Sequence, residues 1–193
     1  ATLIEAVRHD GRIHGRFDPT GTATGRFSSK EPNLQNIGRG ELSSCFVAAP
    51  GYKLIVADYS QIELRAAACI AGEKRMIDAY MRGEDLHRQT AAAVLGKPLD
   101  EVTKEDRQLS KAVNFGLLYG QSAPGLVRYA ASGYGVKLEL EQAEAIRKAF
   151  FRTYGALRQW HGESHNKAEA GGAEVRTLTG RRRILPPEAS PWN

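Results

Sequence analysis

The segment "RQLSKAVNFGLLYG", residues 107–120, decides how the rest of this sequence is interpreted. Cationic and aromatic residues recur in it at every fourth position, as Arg107, Lys111, Phe115 and Tyr119. At 100° per residue these four side chains share one face of an α-helix, whereas Leu109, Val113 and Leu117 lie on the opposite face. The apolar face is predicted to pack against the domain, which leaves the charged face available to a ligand.

The groups on the charged face are those that bind nucleotides. Arginine offers a planar fork to phosphate oxygens, lysine adds a point charge, and an aromatic ring packs against base or sugar. The same spacing is also compatible with a solvated basic face whose two aromatic rings turn sideways into the core. Other segments are needed to decide between the two interpretations.

The composition indicates a globular protein that favours polyanionic partners. The chain has 193 residues, of which 41% are apolar, enough for one sizeable domain or two small ones. Its 27 Lys and Arg exceed its 22 Asp and Glu by five. Cys45 and Cys69 lack metal-ligand spacing, so we expect buried thiols in a reducing compartment. Without a membrane-length apolar run or signal-peptide pattern, a soluble cytoplasmic protein is expected.

Turn and helix residues predict a short β region followed by a mainly helical remainder. Residues 11–40 are rich in Gly, Thr, Ser, Asn and Arg, which favours strands and loops. An apolar strand over 54–57 is predicted to end at Asp58 and to lead into a helix that Gly72 stops. Further elements are predicted as helices over 73–81, 84–95, 104–119 and 140–170, the last broken at Gly155, and as a hairpin turning near Thr179 and Gly180.

Two segments together resemble the motifs of a known enzyme family. "DYSQIELR" at 58–65 resembles motif A of the family A DNA polymerases, the bacterial polymerase I type, and residues 107–120 resemble motif B. Residues 22–37 resemble the segment that grips primer and template, 83–92 the helix before motif B, and 177–186 a later segment of the fingers. The resemblance extends from about residue 11 to residue 187.

The resemblance implies an α+β fold, with a mainly helical fingers subdomain packed on a partial, mostly antiparallel palm sheet. Residues 1–70 would form the partial palm, with the primer/template segment and motif A, and residues 71–193 the fingers. The implied activity is template-directed DNA synthesis in replication or repair, in which deoxynucleoside triphosphates extend a primer by two-metal catalysis.

Asp58 is the predicted metal ligand. It ends an apolar strand, from which a carboxylate can project toward Mg²⁺, although an isolated aspartate there is more often a turn or cap residue. The resemblance implies that Asp58 bridges two Mg²⁺ ions, with the Tyr59 backbone carbonyl as a further ligand. One ion would activate the primer 3′-hydroxyl and the other would hold the triphosphate.

Glu63 has two interpretations. Residues 60–63 form a capping-box sequence, in which Glu63 would bond the helix N-terminus. By resemblance it lies under the sugar, hydrogen-bonds Tyr119 and excludes a 2′-hydroxyl, which would make the substrate a deoxynucleotide.

The resemblance assigns the triphosphate to four residues. Arg107 would bind the terminal phosphate, Lys111 the phosphate near the reacting centre, and His87 and Gln61 the remainder, although a lone histidine is more often a satisfied structural one. Lys111 would also be the proton donor to pyrophosphate. Phe115 would lie against the sugar, where phenylalanine goes with discrimination against dideoxynucleotides in this family.

Predicted DNA contacts fall in two segments and in motif B. The resemblance gives them as Arg26, Asn33, Gln35, Asn36, Tyr119, Arg181 and Arg182. Donors in the first segment would check pair shape in the minor groove, although the same residues are compatible with a plain polar loop. The arginines at 181–183 are compatible with phosphate contact and with simple solvation.

The sequence departs from the family pattern in one respect. Family members supply a second carboxylate from a His-Asp-Glu hairpin downstream of motif B, whereas the chain ends before such a segment, and its His9-Asp10 pair is predicted to be a turn. We therefore expect a fragment that lacks the C-terminal palm and N-terminal thumb, with exposed sheet edges and no activity alone. Alternatives are a catalytically dead nucleic-acid-binding relic and a single-subunit RNA polymerase, which Glu63 and "LQNI" disfavour.

Overall fold

The computed structural model describes residues 3–38, 40–169 and 174–184. The elements in these residues are β1 (Arg16–Asp18), β2 (Ser28–Lys30), α1 (Glu41–Ser44), α2 (Ile62–Ala71), α3 (Lys74–Met81), α4 (Leu86–Leu95), α5 (Lys104–Leu118), α6 (Ala123–Tyr134), α7 (Leu140–Thr153), α8 (Gly155–Glu169), β3 (Glu174–Arg176) and β4 (Arg182–Ile184). Strands β1 and β2 pair antiparallel with Arg16 opposite Lys30, and β3 and β4 form the predicted hairpin. The mainly helical α+β class is confirmed. The part of the predicted hairpin segment beyond residue 184 lies outside the described residues.

The chain divides into two compact units. The first contains the described residues up to Asp58 together with Arg176–Arg183, and the second contains those from Tyr59 to Val175 together with Ile184. The first unit holds β1, β2, the short helix α1 and connecting turns, and its His9-Asp10 pair lies in a turn as predicted. The second unit holds α2 to α8. The division of palm from fingers at residue 70 stays a prediction.

The strand predicted over residues 54–57 does not form. This segment is irregular, and Leu54, Ile55 and Val56 are 62%, 90% and 93% exposed. A strand needs a neighbour to pair its backbone groups, and no described strand lies beside this one. The expectation that the palm sheet lacks partner strands stays a prediction.

The prediction that both cysteines are buried is wrong, since Cys45 and Cys69 are exposed. Cys69 follows Ala68, which is fully buried on the inner side of α2. One residue further along a helix is a 100° rotation, which carries the thiol away from the core.

Helix boundaries agree with the predicted start and stop signals. Helix α2 ends at Gly72, which takes the left-handed conformation with φ 67°. The Thr103 and Asp106 pair forms a complete capping box at the start of α5, with aspartate in the place of the usual glutamate. Helix α6 is an additional element, begun by the Ser122 cap and by proline in its first turn.

The core of the second unit surrounds α5. Val113 and Leu117 of α5 are fully buried and belong to a cluster with Leu64 of α2 and Phe150 of α7. Helices α4 and α6 both pack against α5. Among the described helices, none combines the length and the apolar composition of a transmembrane span.

Candidate nucleotide-binding site

The charged face of α5 forms as the sequence predicts. Val113 and Leu117 are buried on the other side, while Arg107, Lys111 and Phe115 are half-buried. Tyr119, at the end of the helix, is 42% exposed. Both cations are therefore partly withdrawn from water instead of being extended on a fully solvated surface.

Arg107 is oriented by an acidic cap residue on the neighbouring helix. Its Nε donates a 2.5 Å hydrogen bond to Oδ2 of Asp85, while Oδ1 of Asp85 accepts from the backbone N–H of His87 at 3.0 Å. Partial burial raises the pKa of Asp85, but the hydrogen bond and charge of Arg107 outweigh it and bring the pKa below its usual value. Asp85 therefore stays ionised and keeps the guanidinium in place.

Lys111 lies one turn along the same face. Within the described residues it forms no salt bridge. A half-buried ammonium without a partner anion is poorly solvated, and an incoming anion relieves that cost. Lys111 is therefore the least compensated charge on the face.

His87 lies beside this face with its ring almost entirely buried, at 3% exposure. Its ring centroid is 6.0 Å from that of Phe115. The pKa of His87 is lowered to about 4, mainly by burial; the charge of Asp85 opposes this decrease, and the charges of Arg107 and Lys111 add to it. The imidazole is neutral near pH 7.

A hydrogen-bonded chain supports His87 from the interior. Nδ1 of His87 lies 2.8 Å from Nδ2 of Asn114, and Oδ1 of Asn114 accepts from the Thr90 hydroxyl at 3.0 Å. The Thr90 hydroxyl lies 2.8 Å from that of Tyr154. Sequence reasoning missed these three residues. The available signal was an asparagine inside a helix, beside a face predicted to be buried.

Glu63 and Tyr119 meet as predicted. The Tyr119 hydroxyl donates to Oε2 of Glu63 in a short hydrogen bond. The competing capping box does not form, because the N-cap residue of α2 is Gln61, whose side chain makes no cap hydrogen bond. Oε1 of Gln61 instead accepts from the Tyr80 hydroxyl at 3.0 Å, so part of its side chain is already committed within the protein.

The predicted metal ligands are exposed. Asp58 ends the first unit, and Tyr59, at 79% exposure, begins the second. In the described residues no three His, Cys, Asp or Glu side chains gather as a metal-binding group. Asp58 supplies hard oxygen ligands of the type that Mg²⁺ prefers, but these residues by themselves do not complete a magnesium site.

Predicted DNA-contacting residues of the first unit lie in ordered loops. Oδ1 of Asn33 accepts from the Gln35 backbone N–H at 2.9 Å, and Nε2 of Gln35 donates to the Phe27 carbonyl at 2.9 Å. These bonds hold the loop, as the polar-loop interpretation requires. Arg26, Asn36, Arg181 and Arg182 are exposed.

The loop and the arginine-rich hairpin approach each other within this unit. The Arg181 guanidinium lies directly against Gly25, where a Cβ atom would collide with it. Gly25 has φ 81°, a conformation that favours glycine. The structure thus brings two of the predicted DNA-binding segments together.

Comparison with known proteins identifies the family. The profile described as DNA polymerase family A matches residues 1–191. The chain belongs to DNA polymerase family A. It is 47% identical over 183 residues to DNA polymerase I of Aquifex aeolicus, covering 93% of this chain and 32% of that protein. It is 43% identical over 191 residues to DNA polymerase I of Mycobacterium tuberculosis, covering 95% of this chain and 20% of the relative.

A solved structure agrees with these relatives. The POL domain of Pol1 from M. smegmatis, in complex with DNA primer-template and dNTP, superposes with a TM-score of 0.81 at 39% identity. The match covers 95% of this chain and 32% of that one. The chain therefore spans about a third or less of the length of the relatives it matches.

Proposed function

We propose that this chain is the deoxynucleotide-binding part of a template-directed DNA polymerase that extends a primer 3′-hydroxyl by two-metal catalysis. The observation that carries the proposal is the α5 face, where Arg107 and Lys111 stand beside neutral His87 and the Phe115 ring. A triphosphate offers several anionic oxygens next to a flat sugar and base, and this face offers matching charge and apolar area. We further propose that such a protein works in the cytoplasm.

Each residue has a distinct role in the proposal. Arg107, held by Asp85 through Nε, presents the rest of its guanidinium to the terminal phosphate. Lys111 neutralises the phosphate near the reacting centre and donates a proton to the departing pyrophosphate. His87 and Gln61 bind the remaining phosphate oxygens, and Phe115 packs on the sugar.

The hydrogen bond between Glu63 and Tyr119 favours a DNA polymerase over the related RNA polymerase type. The Glu63 carboxylate accepts this bond from Tyr119. A ribose 2′-hydroxyl beside the carboxylate would disturb the bond.

Asp58 and the Tyr59 carbonyl are proposed as ligands of Mg²⁺, which would supply Lewis-acid stabilisation of the phosphates when bound. The remaining ligands must come from outside the described residues, so we do not expect catalysis by this chain alone. Arg26, Asn33, Gln35, Asn36, Tyr119, Arg181 and Arg182 are proposed to contact primer-template DNA. Of these, Asn33 and Gln35 would keep the loop bonds described above.

Titration of the 193-residue chain with dATP tests the proposal. We expect Arg107→Ala and Lys111→Ala each to weaken binding about tenfold or more, because each removes a charge-assisted phosphate contact. Lys137→Ala is the matched control, since Lys137 is an exposed lysine in the loop before α7. Equal affinity for dATP in all four proteins would overturn the assignment of this face.

A further inference from the structure

We infer that Asn114, backed by Thr90 and Tyr154, is a positioning residue that fixes His87 as a neutral imidazole carrying its proton on Nε2. The inference rests on the proposed function and deepens it, because it specifies what His87 presents to a triphosphate. That group is a directed hydrogen-bond donor without a positive charge.

The hydrogen bond between Asn114 and His87 determines the tautomer of His87. An amide nitrogen only donates, so the 2.8 Å contact from Nδ2 of Asn114 makes Nδ1 of His87 the acceptor. A neutral imidazole whose Nδ1 accepts has its proton on Nε2. The amide is held in this orientation because its oxygen accepts from the Thr90 hydroxyl at 3.0 Å.

The buried hydroxyl of Tyr154 determines which group donates in each of these hydrogen bonds. The Tyr154 side chain is only 2% exposed, and its hydroxyl bonds Thr90 at 2.8 Å. If Thr90 donated to Tyr154, the phenol proton would need another acceptor, and none appears in the described part of the chain. Leaving a buried donor unpaired is costly, so Tyr154 donates to Thr90, and Thr90 donates to Asn114.

The opposite edge of the imidazole, at Nε2, is not completely sealed. Nε2 of His87 makes no hydrogen bond to any described residue, and the atom is not fully buried. The charged groups around the ring are Asp85 at the start of α4 and Arg107 and Lys111 on α5. Their balance, together with burial, keeps the pKa of His87 at about 4. Arg107 and Lys111 thus supply positive charge for an anion, and the Nε2–H group of His87 supplies a hydrogen bond of fixed direction.

Nitrogen-15 NMR of the histidine rings tests the tautomer of His87 in the 193-residue protein without nucleotide. Two-bond nitrogen–proton correlations at pH 7, assigned with His87→Gln, should show the Nε2–H form for His87. A ring protonated on Nδ1 alone, or on both nitrogens, would overturn the inference.

Four variants at three positions test the hydrogen bonds behind His87. Thr90→Val removes the hydroxyl and lets the Asn114 amide turn, so both tautomers of His87 should appear, whereas Thr90→Ser keeps the hydroxyl and should retain the single Nε2–H form. Tyr154→Phe keeps the Thr90 hydroxyl but removes the donor that sets its direction, so its effect should lie between those of Thr90→Ser and Thr90→Val. Asn114→Asp replaces the donor with an acceptor and should raise the pKa of His87 by at least one unit. A single Nε2–H form in all of these variants would contradict the role given to the chain.

The same spectra separate this inference from the proposed function. Addition of dATP should shift the Nε2 signal of His87 in the wild type. A correct tautomer with no response to dATP would count against nucleotide binding while supporting the positioning role. A Nδ1–H ring that responds to dATP would do the reverse.

Discussion

The Tyr119 hydroxyl donates a hydrogen bond to Glu63, which joins the C-terminal end of α5 to the first turn of α2. The two residues are 56 positions apart in the sequence. Each belongs to a segment identified by its resemblance to a polymerase motif, and the tertiary structure brings the two segments together. Loss of either partner leaves the other without this contact.

Replacing Glu63 with alanine should relax the choice of sugar. In a longer, active version of the protein, we expect Glu63→Ala to increase ribonucleotide insertion by roughly 10- to 100-fold, since about 1.4–2.8 kcal/mol of discrimination is lost. Single-nucleotide insertion kinetics with ribo- and deoxynucleotides measure the ratio. Glu144→Ala, an exposed position on α7, should leave it unchanged. An unaltered ratio in Glu63→Ala would refute the steric role of Glu63.

Adding a hydroxyl to Phe115 should reduce discrimination against dideoxynucleotides. Phe115 is half-buried on the α5 face. In the proposed site its ring packs on the sugar, and there a tyrosine hydroxyl would take the place of the missing 3′-hydroxyl. Chain-termination assays with the active enzyme should show Phe115→Tyr incorporating dideoxynucleotides at least tenfold more readily, about 1.4 kcal/mol. A wild-type level of termination in this variant would contradict the position assigned to Phe115.

Adding a methyl group at Gly116 should destabilise the chain. A Cβ there would lie 2.9 Å from Cδ1 of Leu126 and 3.1 Å from Cδ1 of Tyr129, where α5 and α6 meet. We expect Gly116→Ala to lower the free energy of unfolding by about 1–3 kcal/mol through overpacking. Gly162→Ala on α8 meets no atom within 4 Å and should be neutral or slightly stabilising. Urea denaturation of both variants gives the comparison, and equal effects would disprove close packing at Gly116.

Glu73 should contribute to stability at two helix starts. Its Oε1 accepts from the Arg75 backbone N–H at 3.2 Å, and its Oε2 accepts from the Ala156 N–H at 3.0 Å. Glu73 is only 5% exposed, so water cannot easily replace its carboxylate as the acceptor for these two N–H groups. We expect Glu73→Ala to reduce the free energy of unfolding by about 1–3 kcal/mol in urea denaturation. Glu144→Ala should change it by less than about 0.5 kcal/mol.

Stability should fall on acidification because of His87. Its folded pKa of about 4 lies below the ordinary 6.5, so between these values the unfolded chain binds more protons. The contribution is complete above pH 6.5 and is lost as the pH falls toward 4, on the order of 3 kcal/mol. His161, whose pKa burial also lowers, acts in the same direction.

Unfolding free energies measured from pH 7 to pH 4.5 test this dependence. His87→Gln should flatten the profile, whereas His165→Gln, at an exposed position on α8, should leave the wild-type slope. The lowered pKa of Asp85 acts only below its ordinary value of 3.8 and does not affect this range. A wild-type slope in His87→Gln would show that His87 is not kept neutral by the fold.

Local signals in the sequence were sufficient for most of the long helices, although α6 was not predicted. The charged and apolar faces of α5, its Thr103–Asp106 cap and the stop at Gly72 depend on contacts within a few residues, which the pattern contains. The strand expected over residues 54–57 failed for the opposite reason. A strand is completed by a partner, and β-branched composition alone does not supply one.

The sequence by itself determined the family resemblance, the α5 face and the residue types that can meet a nucleotide, because these are encoded as spacing along one helix and in short motifs. Only the tertiary structure decided that Asp85 holds Arg107 and that Tyr154, Thr90 and Asn114 stand behind His87. Those contacts join residues 22 to 64 positions apart, and their direction depends on burial, which leaves each donor one available acceptor. No spacing in the sequence records which buried groups meet.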